Sequence, residues 1–267
     1  MSDISIHPSE LSYLFSFSGT DEVVGWGSSP FRPASGTDLS GWNGQGAKRL
    51  LDAGRLVPRE DGSGSDVSPV LTAAVLALAN PSLVLLAERK EGDGLRRLSI
   101  HRGDDGIWGM TRTPEGMFEL ALYADLTAAA VAAVGFLGAA VTPAEAGTRV
   151  EAAQDVFVDI NALAKSGKAE DAAAKLTGLG IPADEAATVT EAMATPAAAG
   201  RLSVLYCADN KVRSAVSYSV MTTAAGQTWA LYAPASLRSP MVLEHSSVPA
   251  LAGRIVVNVA ARGKIAA

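Results

Sequence analysis

From Leu83 to Arg112 the chain reads LVLLAERKEGDGLRRLSIHRGDDGIWGMTR. Three apolar or alternating runs are separated by two turn signals, Glu91-Gly92-Asp93-Gly94 and Gly103-Asp104-Asp105-Gly106. Short alternating runs joined by Gly/Asp turns predict a three-strand antiparallel meander. A similar pattern returns from Arg201 to Pro234.

Helical periodicity surrounds both meanders. Leu11, Leu14 and Phe15 share one helical face between Ser9 and Phe17. Val23 to Trp26 is a short apolar run and is read as a strand. Ser28 to Gly46 is rich in Gly, Ser and Pro and is expected to be a loop. Phe31 and Trp42 lie inside it, and large aromatics in a polar loop pin it to the body. Ala47 to Leu56 predicts a helix stopped by Pro58. A second helix is expected after Ser68, with Pro69 in its first turn and Val70, Leu71, Ala74, Val75 and Leu78 as its stripe. A fourth strand is expected at Met117 to Leu122, then an Ala-rich helix to Leu137. In the second half, Thr142-Pro143-Ala144-Glu145 reads as a helix start for a segment reaching Lys168. Two more helices are expected at Lys168 to Leu179 and Pro182 to Thr195. After the second meander come a strand at Met241 to Glu244 and a helix from Val248 to Ala261.

Set side by side, the two halves share an order. Each has helices ending in Asn80-Pro81 or Thr195-Pro196, then an apolar strand, two further strands and an Ala/Val-rich helix. Trp108 and Trp229 fall on the third strand of each run. This order implies an internal repeat, with residues 1–141 and 142–267 as two quasi-equivalent α/β halves of one globular unit. The fold class is α+β, a central antiparallel sheet with flanking helices. Pairing the two half-sheets edge to edge removes two exposed edges.

Composition narrows the function. At 267 residues the chain is long enough to bury a core without staples. A single cysteine, Cys207, precludes an internal disulfide. The net charge of −6 argues against nucleic acid, which calls for a basic patch. The first residues lack the basic and apolar regions of a signal peptide, and the longest apolar stretch, Leu126 to Val141, is short for a membrane span. The expected location is the cytoplasm.

Catalytic constellations are not visible. His7, His101 and His245 are dispersed, so no metal site is expected. His101 is read as a solvent-facing strand residue. Cys207 ends an apolar strand and reads as a small buried hydrophobe. Gly41-Trp42-Asn43-Gly44-Gln45-Gly46 precedes a helix but lacks the Lys-Ser/Thr of a phosphate loop. No cofactor is expected.

The organisation resembles the EspG family, cytosolic chaperones of mycobacterial type VII (ESX) secretion. The residues that carry this are Ala47-Lys48-Arg49-Leu50-Leu51-Asp52-Ala53-Gly54, the helix ending at Asn80-Pro81 directly before Leu83-Val84-Leu85-Leu86, and Gly226 to Pro234 (GQTWALYAP) before a closing helix. The resemblance implies a pseudo-twofold α/β fold, no enzymatic activity, and binding of the helical tip of a PE–PPE heterodimer by a monomer or homodimer. Such a chaperone needs an exposed apolar patch. The expected patch is Trp108, Met110, Met117 and Phe118 on the first meander; the alternative is that these residues pack beneath helices. A different reading is a small-molecule-binding or enzymatic module that uses the loop 28–46 as a lid.

Overall fold

The computed structural model describes residues 4–20, 22–33, 38–61, 63–92, 94–141, 147–234 and 239–263. A short strand β1 (Ile4–Ile6) runs straight into α1 (Pro8–Ser18). His7 makes that junction: its ring nitrogen accepts from the Ser9 N–H, while Glu10 reaches back to the His7 N–H at 2.7 Å. Val23 and Gly27 form only an isolated bridge around a tight turn, and not the strand expected at Val23 to Trp26. A 3-10 turn at Ser29–Phe31 buries Phe31, and the Trp42 indole donates to the Phe31 carbonyl at 2.9 Å, so both aromatics pin this region.

The Gly-rich stretch departs from expectation. Helix α2 spans Leu39–Asp52, so residues 39–46 are helical and not part of a lid. Asp38 accepts from the Ser40 and Gly41 N–H groups and starts the helix early. Gly46 then allows close approach: a Cβ there would run into the Ser9 carbonyl of α1. Packing against α1 offsets the poor helix propensity of three glycines. Beyond α2 the chain forms the hairpin β2 (Leu56–Pro58) and β3 (Ser65–Val67), then α3 (Pro69–Ala79) with Pro69 at its start.

The first meander is β4 (Leu83–Glu91), β5 (Gly94–Gly103) and β6 (Gly106–Arg112), continued by β7 (Phe118–Tyr123) and α4 (Leu126–Phe136). The helix start expected at Thr142–Glu145 lies outside the described residues. The first element of the second half is a strand, β8 (Arg149–Ala152), before α5 (Gln154–Lys165), α6 (Ala169–Gly178) and α7 (Ala183–Ala194). The second meander is β9 (Ala198–Ala208), β10 (Lys211–Thr222) and β11 (Thr228–Tyr232). Asp209 and Asn210 carry φ of 52° and 55°, the left-handed pair that a two-residue hairpin turn requires. β12 (Met241–Ser246) and α8 (Val248–Gly263) close the chain.

Ten strands form one sheet in the order β1-β7-β6-β5-β4-β9-β10-β11-β12-β8. The pairings β1·β7, β5·β6, β6·β7, β10·β11, β11·β12 and β12·β8 are all antiparallel. The fold is α+β, a large antiparallel sheet with flanking helices.

The chain divides into two compact units. Unit 1 comprises Met1–Val84, Leu98–Asp125 and Leu205–Ser214. Its core sets Leu11, Leu14 and Phe15 of α1 and Leu71, Val75 and Leu78 of α3 against β6 and β7. Unit 2 comprises Leu85–Arg97, Leu126–Val204 and Ala215–Ala267. Strand alternation gives its sheet two buried faces. Trp229 and Leu243 pack with Phe157, Ile160, Leu176 and Val189 of α5, α6 and α7. Tyr218 and Tyr232, on the opposite face, meet α8: Asn258 donates to the Tyr218 hydroxyl at 2.8 Å, and Arg254 donates to Glu244 at 2.8 Å, which accepts from the Tyr232 hydroxyl at 3.2 Å. α4 packs beside α8.

Candidate functional site

Three of the four residues expected on an exposed patch are core. Trp108, Met110 and Phe118 are 3%, 0% and 0% exposed, packed with α1 and α3; Met117 is half-buried. The alternation on β6 and β7 is real, but α1 and α3 cover the face it defines. Periodicity identifies a face that is buried without saying whether this chain or another buries it.

His101 is also placed differently. It is fully buried, and burial pushes its pKa down to about 3, so the ring is neutral. Its Nε2 lies 2.9 Å from Ser99 Oγ, which accepts from the Trp26 indole at 2.7 Å. A serine hydroxyl at this distance from an imidazole has nucleophile–base spacing. The rest of a hydrolytic site does not follow. Ser99 is 0% exposed, and His101 Nδ1 has no hydrogen-bond partner among the described residues where an orienting carboxylate would stand. The pair braces Trp26 against β5 and is closed to substrate.

Cys207 is half-buried, and burial raises its pKa, so it holds little thiolate at neutral pH. No group of three His, Cys, Asp or Glu side chains that could hold a metal occurs among the described residues.

The feature that sequence reading missed lies in unit 2. An open groove of about 450 Å³ runs between α5, the end of α7 and the sheet. Its floor is Ser219 and Met221 on β10, Leu231 on β11 and Met241 on β12, and the exposed Val158 of α5 stands at its side, while Phe157 of α5 and Met193 of α7, 1% and 3% exposed, are core residues that reach its lining from beneath. Three of the chain's six methionines therefore meet in one depression. They are 28 and 20 residues apart in sequence and come together because β10, β11 and β12 are successive neighbours in the sheet and α7 packs against them. Val158 is 57% exposed although apolar, a local signal that α5 does not spend its whole apolar surface on the core.

Beside the floor, the open sheet carries charge. Gly200 lines the groove, and a Cβ there would sit 2.6 Å from the Glu88 carbonyl, so β9 is seated tightly on β4. Next to it, Arg201 donates to Glu88 at 2.8 Å, and Arg97 donates to the other carboxylate oxygen at 2.7 Å. Burial alone would raise the Glu88 pKa; the hydrogen bonds from Arg201 and then Arg97 outweigh it and hold the carboxyl below its usual range. Ser203 and Ser217 bond each other at 3.1 Å on the same face.

A second, smaller groove of about 260 Å³ lies in unit 1, lined by apolar side chains that include Phe17, Val75 and Leu76. No helix among the described residues is long and apolar enough to cross a membrane.

No protein-family model and no curated protein matches this sequence. Among solved structures, the chain is similar to the Mycobacterium tuberculosis type VII secretion system chaperone EspG5, solved in complex with a PE25–PPE41 dimer. The match has a TM-score of 0.63 at 16% identity and covers 97% of this chain and 94% of that one. The loose whole-chain resemblance to the EspG family read from the sequence is thus present in the fold, and the chain has the α+β fold of that chaperone along nearly its entire length.

Proposed function

We propose that this protein is a non-catalytic cytosolic chaperone or adaptor that binds a helical secretion substrate of a type VII (ESX) system, of the PE–PPE heterodimer kind, in the methionine-lined groove of unit 2. The observation that carries this reading is one open, mostly apolar depression that presents the half-buried Met221 and Met241 above a buried Met193. Methionine is unbranched and polarizable, and it repacks around partners of different shape at small cost. An apolar helical tip needs such a cover to stay soluble. A small-molecule site would instead converge several polar groups on one ligand. Here the lining is mainly apolar, and its polar side chains Gln154, Asn161, Lys165 and Ser219 are spread over α5 and β10. EspG5, whose fold this chain shares, was solved holding a PE25–PPE41 dimer, which supports a partner of the same kind.

The test is co-expression with PE–PPE pairs from the source genome, then size-exclusion chromatography. A stable complex with at least one pair is expected, lost in Val158→Glu, which alters an exposed position on the groove wall and leaves the fold intact. If the wild type retains no pair, the chaperone reading is wrong.

A further inference from the structure

The groove is apolar, but its border is not neutral. Lys165 stands on α5 at one side, exposed, with no acidic partner among the described residues. Arg201 stands at the floor's other edge with its side chain 61% exposed, and Arg97 lies beyond it, 27% exposed. The carboxylate between the two arginines is Glu88, itself 9% exposed and already accepting from both. Among the described residues, Lys165 and the exposed Arg201 thus set two cations on the border of a protein whose net charge is −6. Glu88 orders both guanidinium groups and leaves N–H donors of Arg201 facing solvent, the arrangement that receives a carboxylate well. The flanking Ser203 and Ser217 hydroxyls add uncharged donors on the same face.

We propose that the helical tip seated in this groove carries acidic side chains beside its apolar residues, and that Lys165 and Arg201 select it by receiving them. This rests on the docking reading above. It goes further by assigning the partner's charge and the residues that read it. Charge at the edge of an apolar contact sets association rate and partner choice more than total affinity. The preference therefore weakens as salt rises.

The probes are two synthetic disulfide-closed helical hairpins with the same leucine- and phenylalanine-bearing tip, one with Asp beside the tip and one with Lys. Their binding to the full chain is followed by fluorescence anisotropy at low and high salt. The expected result is that the Asp hairpin binds about tenfold tighter than the Lys hairpin at low salt. That difference should shrink to under about threefold in Lys165→Glu and in Arg201→Gln, with melting temperatures near the wild type's. Val158→Gln, which is polar but uncharged, should weaken both hairpins alike. Equal binding of the two, or preference for Lys, overturns the charge assignment while leaving the docking site standing if Val158→Gln still weakens both. Binding of neither hairpin overturns the docking site and the charge assignment together.

Discussion

His101 shows how far one residue's environment can depart from its place in the pattern. It comes directly after Ile100 on β5 and reads as the polar member of an alternating pair, yet both are buried, because β5 is covered on both faces at that point. A neutral buried histidine makes stability depend on pH. Its pKa is about 3 in the fold against 6.5 for the free side chain, so below pH 6.5 the unfolded chain takes up a proton that the fold refuses. The contribution is complete above 6.5 and is lost progressively as pH falls toward 3. At pH 5 the loss is about 2 kcal/mol, from 1.4 kcal/mol per pKa unit. Urea midpoints at pH 7 and pH 5 should differ accordingly, and His101→Leu should remove most of that difference. An equal pH dependence in the variant would show that the ring is not sealed.

Met110 belongs to the same scale. It is 0% exposed among α1, α3 and the sheet, so Met110→Ala should cost about 2–5 kcal/mol in a denaturant titration. It should leave partner binding unchanged wherever the variant is folded. Lost binding without lost stability would return the partner site to β6, where the sequence alone places it.

At the scale of elements, what periodicity can read and what it cannot divide cleanly. α1, α6, α7, α8 and both meanders are readable from a period or from their end signals; α3 and α4 are apolar nearly all round and are readable from Pro69 and Asn80-Pro81 and from a run of alanines. β1 and β8 are not: Ile4–Ile6 and Arg149–Ala152 are too short for a period and are fixed by pairing with β7 and β12. The start of α2 is hidden because propensity argues against Gly41, Gly44 and Gly46 in a helix, and the compensating contact lies on another element. This gives a contrasted pair. Gly46→Ala should destabilise by about 1–3 kcal/mol, since its Cβ meets the Ser9 backbone. Gly44→Ala, where a Cβ meets nothing within 4 Å, should stabilise by up to about 1 kcal/mol. Thermal melts of the two variants decide it, and a shift of the same sign in both would contradict the close α1–α2 contact. The methionine groove is unreadable for a further reason. No local pattern links Met193, Met221 and Met241, and only strand order and the packing of α7 join them.

At the scale of the whole molecule, the element order runs through one series twice. β1, three helices, β4 to β7 and α4 are succeeded by β8, three helices, β9 to β12 and α8, with the β2–β3 hairpin as the first run's addition. The strand order reads outward from β4 and β9 in the same sequence on either side, and Trp108 and Trp229 occupy β6 and β11. We propose that residues 1–141 and 142–267 are two copies of one ancestral unit. The copies differ where function would separate them: the half-buried Met221 and Met241 face a groove in the second, whereas Met110 in the first is core. In the function proposed here, this groove and not the first meander receives the partner. Methyl labelling makes the six methionines separate NMR reporters in a single spectrum. On titration with a PE–PPE dimer recovered by co-expression, the signals of Met193, Met221 and Met241 should shift or broaden while those of Met110 and Met117 hold still; movement of Met110 and Met117 with the other three unmoved would contradict it.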